Sequence, residues 1–167
     1  AMVQRSGSAS APGRDPDSPL ALERFGPVHG SAQSGQDTAL VVRYRADAPI
    51  DDVTWGFEIW SSDGQLCITS AQEAAGRSLP QGGGTLTCVI ERLPLAPGTY
   101  ALRLNVVDRV NGTPVLLAGF GAAPILVEVA SPPSIASNYQ IENGQLAVVD
   151  VSWQAPVETA ARSGATG

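Results

Sequence analysis

Five side chains, on two stretches of alternating sequence, have the types that a sugar-binding surface needs. Thr54, Glu58 and Trp60 fall on one parity of the run 53–60, and Arg103 and Asn105 share a parity, with Ala101, in the run 100–109. An aromatic ring covers the apolar C–H face of a sugar, while a carboxylate, a guanidinium and an amide pair with hydroxyls. A solvated sheet face with one exposed Trp would give the same alternation, since single exposed aromatics are common. Both readings require that the two runs be strands, neighbours in one sheet, and turned the same way.

Catalytic chemistry finds little footing. A phosphate-binding loop ends in Gly-Lys-Ser/Thr, and all ten basic residues here are Arg. His29 is the single histidine, so a zinc site would rest on it and on Cys67 and Cys88, which lack ligand spacing. His29 stands beside Gly30 and reads as a solvated turn residue rather than a triad member. Asp52 and Glu58 are the pair a glycosidase would need, but Asp51-Asp52 reads as turn chemistry. Asn111-Gly112-Thr113 matches a glycosylation acceptor, yet Asn-Gly is also a favoured hairpin turn and accounts for both flanking strands. The Gly82–Gly84 run reads as a loop and not a phosphate cradle, because no helix follows. No enzyme activity, metal or other cofactor is implied.

Composition narrows the class. The chain has 167 residues, 43% hydrophobic and 16% charged, with a formal charge of −6. That balance suits one globular domain with flexible ends. The basic footprint that nucleic acid requires is missing, and no apolar run reaches the 18 residues of a membrane span. Residues 1–19 and 154–167 are Ser, Ala, Gly, Pro and charge, and read as a linker and a tail. Residues 20–153 hold short alternating runs broken by turn signals, the pattern of an all-β sandwich.

The expected strands are 20–28, 38–46, 53–60, 65–70, 85–92, 100–109, 114–120 and 125–129, closed by a hairpin of 139–141 with 145–153 across Asn143-Gly144. In the third, Val53, Trp55, Phe57 and Ile59 point inward, so Thr54, Glu58 and Trp60 point out. Asp63-Gly64 makes the turn that follows. Leu86, Cys88 and Ile90 are inward in the fifth. Tyr100, Leu102, Leu104 and Val106 are inward in the sixth, leaving Arg103 and Asn105 exposed. Before it, Leu93–Tyr100 (LPLAPGTY) has the look of the tyrosine corner of immunoglobulin-like antiparallel sandwiches, in which the third strand and the strand after the corner are neighbours. Pro132-Pro133 stiffens the approach to the last hairpin, whose Val149, Val151 and Trp153 share a face that needs a cover; a second copy can supply one by exchange, giving a homodimer.

Three landmarks in order support a resemblance across residues 35–153. Asp51–Ile59 (DDVTWGFEI) followed by Ser62-Asp63-Gly64, the corner Leu93–Tyr100, and the closing run Gly144–Trp153 (GQLAVVDVSW) together resemble the C-terminal domain of Wzt-type proteins. These are the ATP-binding subunits of ABC transporters that export O-antigen and related polysaccharides. The resemblance implies an immunoglobulin-like sandwich, recognition of a polysaccharide by one sheet face, and a dimer that exchanges C-terminal strands. It also implies a cytoplasmic place at the inner face of the membrane, a transporter transmembrane subunit as partner of the parent protein, and an ATPase domain outside this chain. The family's Gly-x-Asn-Thr stretch after the Asp-Gly turn is here Thr69–Gln72 (TSAQ), so no role for that loop carries over. The rival reading is an extracellular immunoglobulin-like or fibronectin-like adhesion or spacer module. It expects a Cys67–Cys88 disulfide, where the export reading expects two buried, reduced thiols.

Overall fold

The computed structural model describes residues 17–121 and 123–131. Its strands are β1 (Leu20–Pro27), β2 (Ala32–Gln33), β3 (Thr38–Ala46), β4 (Ile50–Ser61), β5 (Cys67–Gln72), β6 (Arg77–Leu79), β7 (Gly82–Ile90), β8 (Gly98–Asp108), β9 (Pro114–Ala118) and β10 (Ile125–Ala130). The expected hairpin 139–153 lies outside the described residues, as do most of the linker and the whole tail.

Two sheets face each other. The smaller runs β1-β3-β7, and the larger runs β2-β10-β8-β4-β5 with β6 beside β4 and β9 beside β8. This is an immunoglobulin-like sandwich order, with the third long strand and the strand after the corner paired as expected. The sheets are not wholly antiparallel: β2 joins β10 in a short parallel pair. β2 and β6 have two and three residues, too few for alternation to show in sequence.

Inward side chains from both sheets form one core. Leu20, Val53, Leu102 and Val106 are essentially sealed, and Leu40, Tyr44, Trp55, Ile59, Tyr100 and Leu104 join them. Burying such side chains is worth about 1.5–3 kcal/mol each against exposure. Phe57 is only partly buried, because it lines a gap left open between the edge strands β5 and β7. Tyr100 donates its hydroxyl to the Ala96 carbonyl at 2.7 Å in a buried bond, which is the tyrosine corner that Pro94, Pro97 and Gly98 announced.

The Gly82–Gly84 run is strand, not loop. It pairs residue for residue with Ala46, Arg45 and Tyr44 of β3. A Cβ on Gly84 would overlap the Tyr44 ring, which packs across to Trp55 with centroids 5.3 Å apart. Glycine is therefore the residue that lets this ring lie over the neighbouring backbone. Asp52 also departs from a simple turn. It lies within β4 at a positive φ of 49°, where the pairing with β6 shifts register. Its carbonyl accepts the Arg109 amide at 2.9 Å, and its carboxylate meets the Arg109 guanidinium at 3.3 Å.

Candidate functional site

β4 and β8 run antiparallel with Glu58 opposite Arg103, Trp60 opposite Ala101, Gly56 opposite Asn105 and Thr54 opposite Val107. Because Trp55, Ile59, Leu102 and Leu104 are buried on the inner side, period-2 alternation turns this second set outward. The outward face of the large sheet thus brings together Glu58, Trp60, Arg103 and Asn105.

Their contacts differ from those of a freely solvated patch. The Trp60 indole N–H donates to Glu58 Oε2 at 2.6 Å. The Arg103 guanidinium, although directly opposite Glu58, stacks on the Trp60 ring with Cζ 3.8 Å from its centroid. Phe120 is a second ring beside it, its centroid 5.2 Å from the same carbon. Arg103 pairs with no carboxylate among the described residues. Its Nε is buried without a hydrogen-bond partner, and so is Asn105 Oδ1. Both atoms are sealed from solvent, and a buried polar atom left unmatched costs about 1–3 kcal/mol.

Exposure corrects the sequence reading at six positions. Glu58, Arg103 and Asn105 are half-buried rather than exposed. Arg103 is shielded by the two rings, and Asn105 lies over Gly56, where a Cβ would overlap its Oδ1. Thr54 is buried at 6% exposure. Its hydroxyl accepts the Gln72 side-chain amide at 3.2 Å, so Gln72 covers it and takes its place at the surface. Cys88 is exposed rather than inward-buried, since β7 is an edge strand beside the open gap; Cys67 is exposed on the edge strand β5. Both thiols are free, so the disulfide of the adhesion reading is not formed. The remaining desolvation pushes the Cys88 thiol pKa above its ordinary value.

Sequence reading missed the rim of this face. Leu126 stands opposite Ala101, and Leu117 opposite Asn105; they are 54% and 51% exposed. With Trp60 and Phe120 they place apolar side chains around the polar centre. Alternation within 114–120 and 125–129 could have marked both leucines as outward, but not as neighbours of Arg103. Phe120 lay in an expected strand; it in fact follows Gly119, whose φ of +78° turns the chain over β8.

The turn at the end of β4 borders Arg103. A Cβ on Gly64 would lie 3.5 Å from the Arg103 terminal nitrogen. Asp63 accepts the Ser61 hydroxyl at 2.5 Å and the Gln65 amide at 3.0 Å, and these bonds hold its carboxyl below the usual carboxylate range. Gly64 supplies the positive φ, 70°, that the turn requires. At the β8–β9 hairpin, Asn111 Oδ1 accepts from the Thr113 amide and hydroxyl, and Gly112 has φ 72°. That is turn chemistry, as read. His29 is exposed in the turn after β1. Among the described residues no three His, Cys, Asp or Glu cluster as metal ligands, and no helix is long and apolar enough to cross a membrane.

Known proteins bear on this architecture. No curated protein sequence matches the chain. A crystal structure of the C-terminal domain of Wzt superposes with a TM-score of 0.63, at 14% identity over 87% of this chain and 92% of that one. At that identity the likeness concerns the fold alone. An alkylpurine DNA glycosylase from Pseudomonas fluorescens, bound to DNA with an abasic site analog, gives 0.44 at 14% identity, covering 67% of this chain and 30% of its own. A CARDB domain from Pyrococcus furiosus, in complex with two metal ions, gives 0.41 at 11%, covering 68% and 94%. The last two scores are too low to bear on function. The family model for the Wzt C-terminal domain matches residues 21–115, a stretch that holds both β4 and the tyrosine corner. More than half of the chain is matched by it, and the protein belongs to the Wzt C-terminal domain family.

Proposed function

We propose that this domain recognises a polysaccharide on the outward face of its large sheet, without catalysis. The observation that carries the reading is the half-buried group Trp60, Glu58, Arg103 and Asn105, gathered on one outward face with Arg103 against the Trp60 ring rather than in an ion pair. An aromatic ring beside a carboxylate, a guanidinium and an amide fits a ligand that offers both C–H faces and hydroxyls. Membership of the Wzt C-terminal domain family supports a place in the ATP-binding subunit of an ABC exporter. There the domain would hold the glycan while the parent protein's ATPase and its transmembrane partner move it, on the cytoplasmic side of the inner membrane.

Trp60→Ala tests the reading. Calorimetric titration with the polysaccharide of the producing organism should lose more than about 1 kcal/mol, the mark of an anchor residue. Folding stability should fall by about 1 kcal/mol, since the ring is only half-buried. Unchanged affinity in a folded variant would refute glycan binding at this face.

We also propose a homodimer formed by exchange of the 139–153 hairpin. The gap between β5 and β7, a cavity of about 280 Å³ lined by Leu40, Val42, Phe57 and Leu86, leaves two strand edges and an apolar surface to be covered. The Val149, Val151 and Trp153 face is the kind of segment that would cover it. Light scattering should give a dimer for the full chain and a monomer for one ending at Ser137. A full-length monomer, or a dimer that survives the truncation, would overturn it.

A further inference from the structure

Arg103 is held beside two aromatic rings and meets no carboxylate of the described residues at ion-pair distance. Its Cζ lies 3.8 Å from the centroid of the Trp60 ring and 5.2 Å from that of Phe120, and the side chain as a whole remains partly open to solvent. Glu58, the carboxylate placed opposite by the sheet register, holds the indole N–H instead. The other carboxyl beside the site, Asp63, holds the Ser61 hydroxyl and the Gln65 amide. Elsewhere Arg45, Arg77 and Arg109 each meet a carboxylate of the protein. At Arg103 a positive charge is partly withdrawn from water and forms no ion pair with a carboxylate of the described residues.

We infer that the ligand supplies one: the outward face takes a glycan bearing carboxylate groups, such as a hexuronic acid polymer, whose carboxylate binds the Arg103 edge. The inference rests on the glycan reading above. A rigid guanidinium fork matches the two carboxylate oxygens, and charge-assisted bonds of this kind are roughly twice as strong as neutral ones. A neutral hydroxyl would satisfy one N–H and bring no charge of its own. Asn105, two residues along β8, lies about 7 Å away. Its side chain, half-buried on the same face, offers an amide to a hydroxyl on the same or the next sugar. Phe120 acts here as a positioning residue, through its ring beside the guanidinium.

The test uses the full chain and an array of oligosaccharide pairs that differ only in being uronic acids or their carboxyl-reduced forms. The acidic member of the bound pair should win by about tenfold or more, as one charge-assisted pair predicts. Raising the salt should weaken that member alone. Arg103→Gln should abolish the preference, and Arg103→Lys should restore only part of it, because a point charge replaces a fork. Phe120→Ala should shrink the acid-over-neutral ratio while Trp60-dependent binding of the neutral member persists, and Phe120→Tyr should bring the ratio back. If Arg103→Gln does not fold, the Phe120 pair and the salt series decide. Equal binding of both members, still sensitive to Trp60→Ala, overturns the carboxylate and leaves glycan recognition standing. Binding of no pair, or binding indifferent to Trp60→Ala, removes both.

Discussion

Trp55→Ala is expected to destabilise the domain by about 3–5 kcal/mol, a large part of the roughly 5–15 kcal/mol that holds a typical domain. Trp55 is 7% exposed, on a strand with β8 on one side and β5 on the other. Its ring meets Tyr44 of the opposite sheet at 5.3 Å, so it bridges the two layers. The variant would leave a void next to the gap already open between β5 and β7, and strands locked in two ladders cannot collapse far to fill it. Trp55→Phe should cost much less. It keeps an aromatic ring and removes an indole N–H that is buried without an acceptor. Urea or thermal denaturation of the two variants checks this. A near-neutral Trp55→Ala would contradict the placement of this side chain between the sheets.

Gly119→Ala should be the most damaging change outside the core, at about 2–4 kcal/mol. A φ of +78° already disfavours any side chain. A Cβ there would also overlap the Leu102 carbonyl oxygen and lie 3.2 Å from Arg103 Cα. Both neighbours are backbone of β8, so neither can swing aside as a flexible side chain would. Gly121 provides the control. Its φ is +88°, but nothing lies within 4 Å of a Cβ, so alanine there should cost only the backbone strain, about 1–2 kcal/mol. Equal melting of the two variants would mean that the chain does not pass so close over β8. Since Phe120 follows Gly119, the same substitution should loosen the cover on Arg103.

Much of the fold was legible before any coordinates. The inward sets of β4 and β8 follow from alternation, and the Leu93–Tyr100 run announced a corner that the Tyr100–Ala96 bond completes. The failures share one cause. Gly82–Gly84 resembled a loop because glycine is poor in strands, yet the Tyr44 ring across the sheet requires it there. Cys88 has inward parity, but its strand lies at a sheet edge beside a gap, so parity does not bury it. Thr54 has outward parity and is buried, because Gln72 of the adjacent strand covers it.

The sequence by itself determined which side of each long strand faces the core, and so that Glu58, Trp60, Arg103 and Asn105 turn outward together. That information is local, since a strand's two faces repeat every second residue. Tertiary structure decided what those side chains do to one another. Register sets Glu58 against Arg103, yet the indole takes the carboxylate and the guanidinium takes the ring. A glycine in a left-handed conformation then brings Phe120 over β8, beside the same guanidinium. Such partnerships depend on pairing between strands distant in the chain and on competition among neighbours for one hydrogen bond, neither of which a period of two can encode.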